Sequence, residues 1–290
     1  MTDSAHLSTG VLAAVLGAAA LHALWNSLVK SANDKFLSSA IVALWCGVAA
    51  VLAALVLPRP AEAAMPFIIA SAIIHIVYFI LVGQLYRTAD LSVAYPIMRG
   101  LAPLIAAVIA LMTLGEAPAP IASLGVLALV IGVLAMGASG LAHGRIDRTT
   151  VIVALINSAV IAIYSVIDGE GARLSGTGSA FAFAYNSWAD ALTALAYLPI
   201  ILFLRGRTVV AALTGDWRRG LIGGLAAFLG YAIVIWAMTR APIAAIAALR
   251  ETSVVFAAII GVGALGEPFH TQRAIAVLVI LAGIILLRIG

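Results

Sequence analysis

The sequence predicts an all-α integral membrane protein of ten transmembrane helices, built as two inverted five-helix repeats. Three observations predict this class. Of 290 residues, 64% are hydrophobic and 10% charged, with a mean hydropathy of +1.17, a balance that a water-exposed domain cannot keep in solution. The apolar runs are about twenty residues long, the length a helix needs to cross roughly 30 Å of hydrocarbon, and they show none of the ten-residue alternation of a barrel. Finally, residues 92–116 recur as residues 243–267 at an offset of 151, which pairs Arg99 with Arg250 and Leu114-Gly115-Glu116 with Leu265-Gly266-Glu267. Nine of the twenty-nine positions from Thr88 to Glu116 are identical in the second copy. An arginine seventeen residues before a Gly-Glu, twice, does not follow from composition and marks an internal duplication.

In chain order, the apolar runs cover residues 9–29, 36–57, 64–86, 92–113 and 118–138, then 151–169, 179–204, 220–238, 243–264 and 271–289. The segment before the first run has no basic residue and no small-residue cleavage site follows the run, so that helix is expected to stay, with no cleaved signal peptide. Most loops are short and carry Lys, Arg, Asp, Pro or Gly, as in 30–35, 58–63 and 87–91. The loop at 140–149 divides the chain into a first repeat, 1–139, and a second, 150–290, while 205–219 separates the seventh and eighth runs. Five spans is an odd number, so the second repeat enters the membrane from the opposite side. Such repeats are related by a pseudo-twofold axis in the membrane plane, with transport sites near the midplane between them.

These features together resemble the EamA-type branch of the drug/metabolite transporter superfamily. The resemblance rests on the run Ala94-Tyr95-Pro96-Ile97-Met98-Arg99 with Pro103 beyond it, the two Gly-Glu pairs, and Gly132 and Gly283 in the closing helix of each half. The second copy departs from the pattern, with Ile246 in place of Tyr95 and no counterpart of Pro96 or Pro103. The resemblance implies a small-solute carrier working by alternating access, often an exporter of amino acids or related metabolites. The expected location is the inner (plasma) membrane, as a multi-pass protein. For orientation, ten basic loop residues face the side opposite the termini and four face the termini, which by the positive-inside rule places both termini outside; the resemblance implies termini inside.

The candidate site residues are polar groups inside spans. His22, Trp25, Asn26 and Val29 share one stripe of the first helix. His75 and Tyr78 lie mid-span in the third, and Tyr95 and Arg99 are four apart in the fourth. In the second half, Tyr164, Asp168 and Glu170 close the sixth span, and Arg250 and Glu251 open the ninth, so polar groups are expected at two depths, one per half. An arginine inside a span costs about 2.5–3.5 kcal/mol on insertion scales. Each therefore either snorkels to an interface and pairs with an acid such as Asp90 or Glu251, or meets a substrate carboxylate, phosphonate or sulfonate through its planar fork. Asp190 is read as the counter-charge to an arginine or as a proton carrier; His75 and Glu251 are the other candidates for proton coupling. Tyr231, Trp236 and Trp45 are cavity aromatics or belt anchors. Glu116 and Glu267 are expected to complement the N-terminus of the following helix, and Gly125, Gly132, Gly261, Gly263 and Gly283 to allow close helix contacts.

No nucleotide-binding glycine pattern, metal-binding His-Glu-x-x-His or spaced cysteine set is present, and Cys46 is the sole cysteine, so no metal, cofactor or internal disulfide is expected. The expected partners are a small-molecule substrate, the lipid bilayer and a candidate coupling proton, and no nucleic acid. The reading is a secondary transporter and not an enzyme, exporting an amino acid or related carboxylate. An importer of small organic anions such as phosphonates or sulfonates is the alternative substrate class. A membrane-embedded enzyme or lipid scramblase using His22, His75 and Asp190 is the alternative of another kind.

Overall fold

The structure is a computed structural model that describes residues 7–88, 98–141, 148–265 and 271–290, and among these all regular structure is helical. The first half contains α1 (Thr9–Lys30), α2 (Lys35–Ala54), a 3₁₀ turn (Glu62–Ala64), α3 (Met65–Thr88), α4 (Ala102–Leu114) and α5 (Pro120–Leu141). The second contains α6 (Arg148–Leu174), α7 (Ser179–Arg205), α8 (Thr208–Gly215), α9 (Trp217–Met238), α10 (Ile243–Arg250), α11 (Ser253–Leu265) and α12 (Thr271–Ile289). Among the described residues, eight helical stretches are long and apolar enough to cross a membrane, and Met98–Leu114 and Pro120–Met136 are shorter apolar helices. Leu55, Val56, Met112, Leu195 and Phe203 point outward, as a lipid-facing surface requires.

Local chemistry sets the helix ends. The Val11 amide donates to Ser8 Oγ at 3.2 Å and the Leu37 amide to Asp34 Oδ1 at 2.9 Å, satisfying donors that the first turns of α1 and α2 leave open. Gly115 stops α4 in the left-handed region at φ 64°, a conformation that costs a side chain but not glycine. The longest interface is between α5 and α12, where a Cβ on Gly283 would come within 2.9 Å of Gly125 O, so the two backbones meet through glycine. Gly132 makes the same kind of close approach to α12, whereas Gly263 faces open space, contrary to the packing role expected for it.

Four elements differ from the sequence reading. The run 243–264 is not one helix: α10 stops at Arg250, a turn covers Glu251 and Thr252, and α11 begins at Ser253. The fourth span is also interrupted, by a bend at Leu101 between the helical residues 98–100 and α4. With the duplication offset of 151, Leu101 corresponds to Thr252, so the two breaks fall at matching positions. The sixth span extends to Leu174, beyond the expected residue 169, because the charges in its last turns have partners inside the protein. The fourth difference is α8, which folds inside the loop 205–219 and buries Val209 against the bundle.

Loop and helix ends collect at two rims. At one, the Ala61 amide donates to Ser175 O at 2.9 Å, Arg240 donates to Ser179 Oγ at 3.0 Å, and Arg288 donates to Thr9 Oγ1 at 3.1 Å. Arg173 there binds Glu116 at 2.5 Å and donates to Met238 O and Ala241 O at 3.0 and 3.2 Å. Glu116 also accepts the amide of Ile243, so it caps α10 of the other half and not the helix that follows it in sequence. At the opposite rim Arg205 pairs with Asp34 at 3.2 Å and stacks on Phe36.

Candidate functional site

Arg99 and Arg250 both sit at the helix breaks, and both are buried. Neither snorkels. Arg99 Nε donates to Glu251 Oε2 at 2.6 Å, with both side chains 1% exposed. The other oxygen of the same carboxylate lies 3.4 Å from Arg250 Nε. One glutamate from the second half therefore bridges an arginine from each half. Arg250 also approaches Ser165 Oγ of α6 at 3.4 Å and covers the rings of Tyr164 and Tyr231 at 5.7 and 5.9 Å. The expectation of two polar depths is corrected by this geometry. All eight residues of α10 are buried, so Arg250 lies two turns inside the protein and meets Arg99's partner directly.

A ring cluster adjoins the ion pair. His75 of α3 packs on Tyr164 of α6 at 4.4 Å and on Tyr231 of α9 at 5.7 Å, and Tyr78 closes on Tyr164 at 5.8 Å. His75 Nδ1 lies 2.9 Å from Ser71 O and 3.2 Å from Ser71 Oγ, so Ser71 holds that side of the ring. Beneath the rings, Asp168 accepts hydrogen bonds from Tyr185 at 3.0 Å and from Tyr231. On the α1 side, Trp25 Nε1 donates to His22 Nδ1 at 3.2 Å, and His22 lies within electrostatic reach of both arginines. Asn26 turns its amide back to His22 O at 2.8 Å, so that donor is committed to its own helix.

The structure thus brings His22, Trp25, His75, Tyr78, Arg99, Tyr164, Arg250 and Glu251 to one region formed by α1, α3, α6, α9 and the breaks at α4 and α10. Tyr95 lies outside the described residues, as do Asp90 and Glu267. Asp190 stands apart against α2, accepting from Asn186 Nδ2 at 2.9 Å and from Cys46 Sγ at 3.5 Å. Among the described residues it pairs with no arginine, so the counter-charge role assigned to it belongs to Glu251. Trp236 is a rim residue, donating to Ser179 Oγ at 3.0 Å, whereas Tyr231 belongs to the ring cluster. Sequence reasoning does not place Tyr185 or Ser165 in this site and misses the central place of Asp168. The available signal was Tyr164 and Asp168 four apart on α6, one turn along the same face.

Comparison with known proteins matches residues 148–289 to the EamA-like transporter family. A protein of known crystal structure superposes with a TM-score of 0.71 over 98% of this chain and 96% of that one, at 18% identity, a likeness of fold alone. No curated protein matches the chain in sequence.

Proposed function

Because the chain belongs to the EamA-like transporter family through residues 148–289, and is thus a multi-pass membrane transporter of small molecules, we propose that it is an alternating-access exporter of amino acids or related carboxylates. The observation that carries this reading is the buried bridge of Arg99, Glu251 and Arg250 at the matching helix breaks. Discontinuous helices expose backbone polar groups at depth, and paired arginines there offer a bidentate fork to a carboxylate. Glu251 already bridges the two arginines, one carboxylate oxygen to each Nε. A substrate carboxylate of similar shape exchanges with it, and the released Glu251 is the group positioned to take a proton if transport is proton-coupled.

Alternating access requires two halves that can exchange roles, and the helix pairings support such an inverted repeat. Matching α1–α5 to α6, α7, α9, α10 with α11, and α12 maps the α1·α9 contact onto α6·α3 and α2·α9 onto α7·α3. It also maps α1·α11 onto α6·α4, while α2·α7 and α5·α12 map onto themselves. Arg173 and Glu116 tie α6, α4 and the start of α10 at one rim, a contact suited to closing that side of the carrier.

The test is counterflow in proteoliposomes holding the purified protein, loaded with an amino acid mixture and supplied with labelled members outside. The reading expects label to accumulate, and Arg250→Ala to lower the rate at least tenfold. Unchanged flux in Arg250→Ala, or accumulation of phosphonates and sulfonates in preference to amino acids, counts against it.

A further inference from the structure

Asp168 is fully buried in α6, yet its two described partners are neutral hydroxyls, those of Tyr185 and Tyr231. Among the described residues no lysine, arginine or histidine nitrogen lies within 4.0 Å of it. A carboxylate in hydrocarbon surroundings is costly without a cation, and two hydroxyl donors leave acceptor positions open on its oxygens. The ionisable groups around it are Arg250 beyond the tyrosine rings, His75 across them, and Asp190 on α7. His75 spends Nδ1 on Ser71 and presents its ring face to Tyr164. The acid therefore joins the ring cluster of His75, Tyr78, Tyr164 and Tyr231 through the Tyr231 hydroxyl.

The same tyrosines separate Asp168 from Arg250. The Arg250 guanidinium carbon lies 5.9 Å from the Tyr231 ring centre, and the Tyr231 hydroxyl bonds Asp168, so the two charges are at most about 11 Å apart. An α-amino acid, with its ammonium and carboxylate about 3 Å apart and an ion pair at each end, spans on the order of 9 Å. The site is a fixed dipole, with cations at the helix breaks and an anion on α6. We infer that Asp168, with Tyr185 and Tyr231, is an ammonium subsite, and that the substrate class is the zwitterion, a free α-amino acid, and not an organic anion. This rests on the carrier reading above and adds the second half of the ligand.

Equilibrium binding to purified protein in detergent tests it, using phenylalanine and leucine beside their des-amino counterparts, 3-phenylpropanoate and 4-methylpentanoate. The wild type is expected to bind an amino acid at least tenfold more tightly than its des-amino form. Asp168→Asn should weaken amino acid binding at least tenfold and leave the carboxylate unchanged, which also reports a folded site. Tyr231→Phe, which keeps the ring, should weaken amino acid binding about threefold and decides the matter if Asp168→Asn does not fold. Carboxylates bound as well as amino acids overturn the ammonium subsite alone, as does an undiminished preference in Asp168→Asn. Binding of neither class overturns the carboxylate carrier reading and this inference with it. A variant that keeps its substrate preference but loses a pH-gradient effect on transport would make Asp168 a proton carrier and overturn the inference.

Discussion

Removing Glu251 should cost more stability than removing Arg99, although the two form one ion pair. Glu251→Gln leaves Arg99 and Arg250 buried together with no carboxylate between them. Arg99→Met leaves Glu251 with Arg250, whose Nε is already 3.4 Å away. Breaking a buried pair by deleting one partner costs about 3–5 kcal/mol when the survivor is stranded, and each contact at about 4 Å is worth on the order of 4 kcal/mol at an effective dielectric near 20. Glu251→Gln removes the carboxylate contact of both arginines and belongs near the top of that range, about 5 kcal/mol. Arg99→Met keeps one contact and replaces a cation by a flexible apolar chain, so about 1–2 kcal/mol is expected. Reversible unfolding in mixed micelles by added denaturing detergent measures both. An Arg99→Met loss equal to or larger than that of Glu251→Gln refutes the shared-carboxylate geometry.

Further expectations concern packing and the rim. Gly283→Val should lower stability by about 1–3 kcal/mol, because its Cβ would press on Gly125 O, while Gly263→Ala should change stability by less than about 0.5 kcal/mol; thermal melts of the two variants compare them. Gly115→Ala forces a side chain into a φ of 64° and should cost about 1 kcal/mol in the same assay. Glu116→Gln removes the charge and one of the two oxygens that hold Arg173 and the Ile243 amide; an Ala241→Cys probe in that background should react faster with a membrane-impermeant maleimide than in the parent, and an unchanged rate would deny the contact a closing role.

The membrane class, the helical spans and the two arginines were legible because each is a local signal: a long apolar run, or a charge where charge is expensive. Depth was not. The sixth span was ended at residue 169 by its acids, which placed Asp168 at an interface, but Tyr185, Tyr231 and, further on, Glu116 satisfy the charges and let α6 continue to Leu174. The run 243–264 puts Arg250 in the opening part of the ninth span, whereas the whole of α10 is buried and carries that arginine inward. Glu251 was recognised as a possible partner for an arginine, yet its bridge across the two halves depends on where the helix breaks bring them together. The same limit holds for Glu116, whose partner helix is its neighbour in space and not in sequence.

The most direct test of the account is the binding of a labelled amino acid to purified protein in a scintillation proximity assay, comparing wild type, Glu251→Gln and Arg99→Ala. If Glu251 holds the place of a substrate carboxylate, Glu251→Gln should bind at least tenfold more tightly than wild type, and Arg99→Ala at least tenfold more weakly. Equal affinities in all three would mean that the buried bridge is a structural tie and that the substrate is held elsewhere.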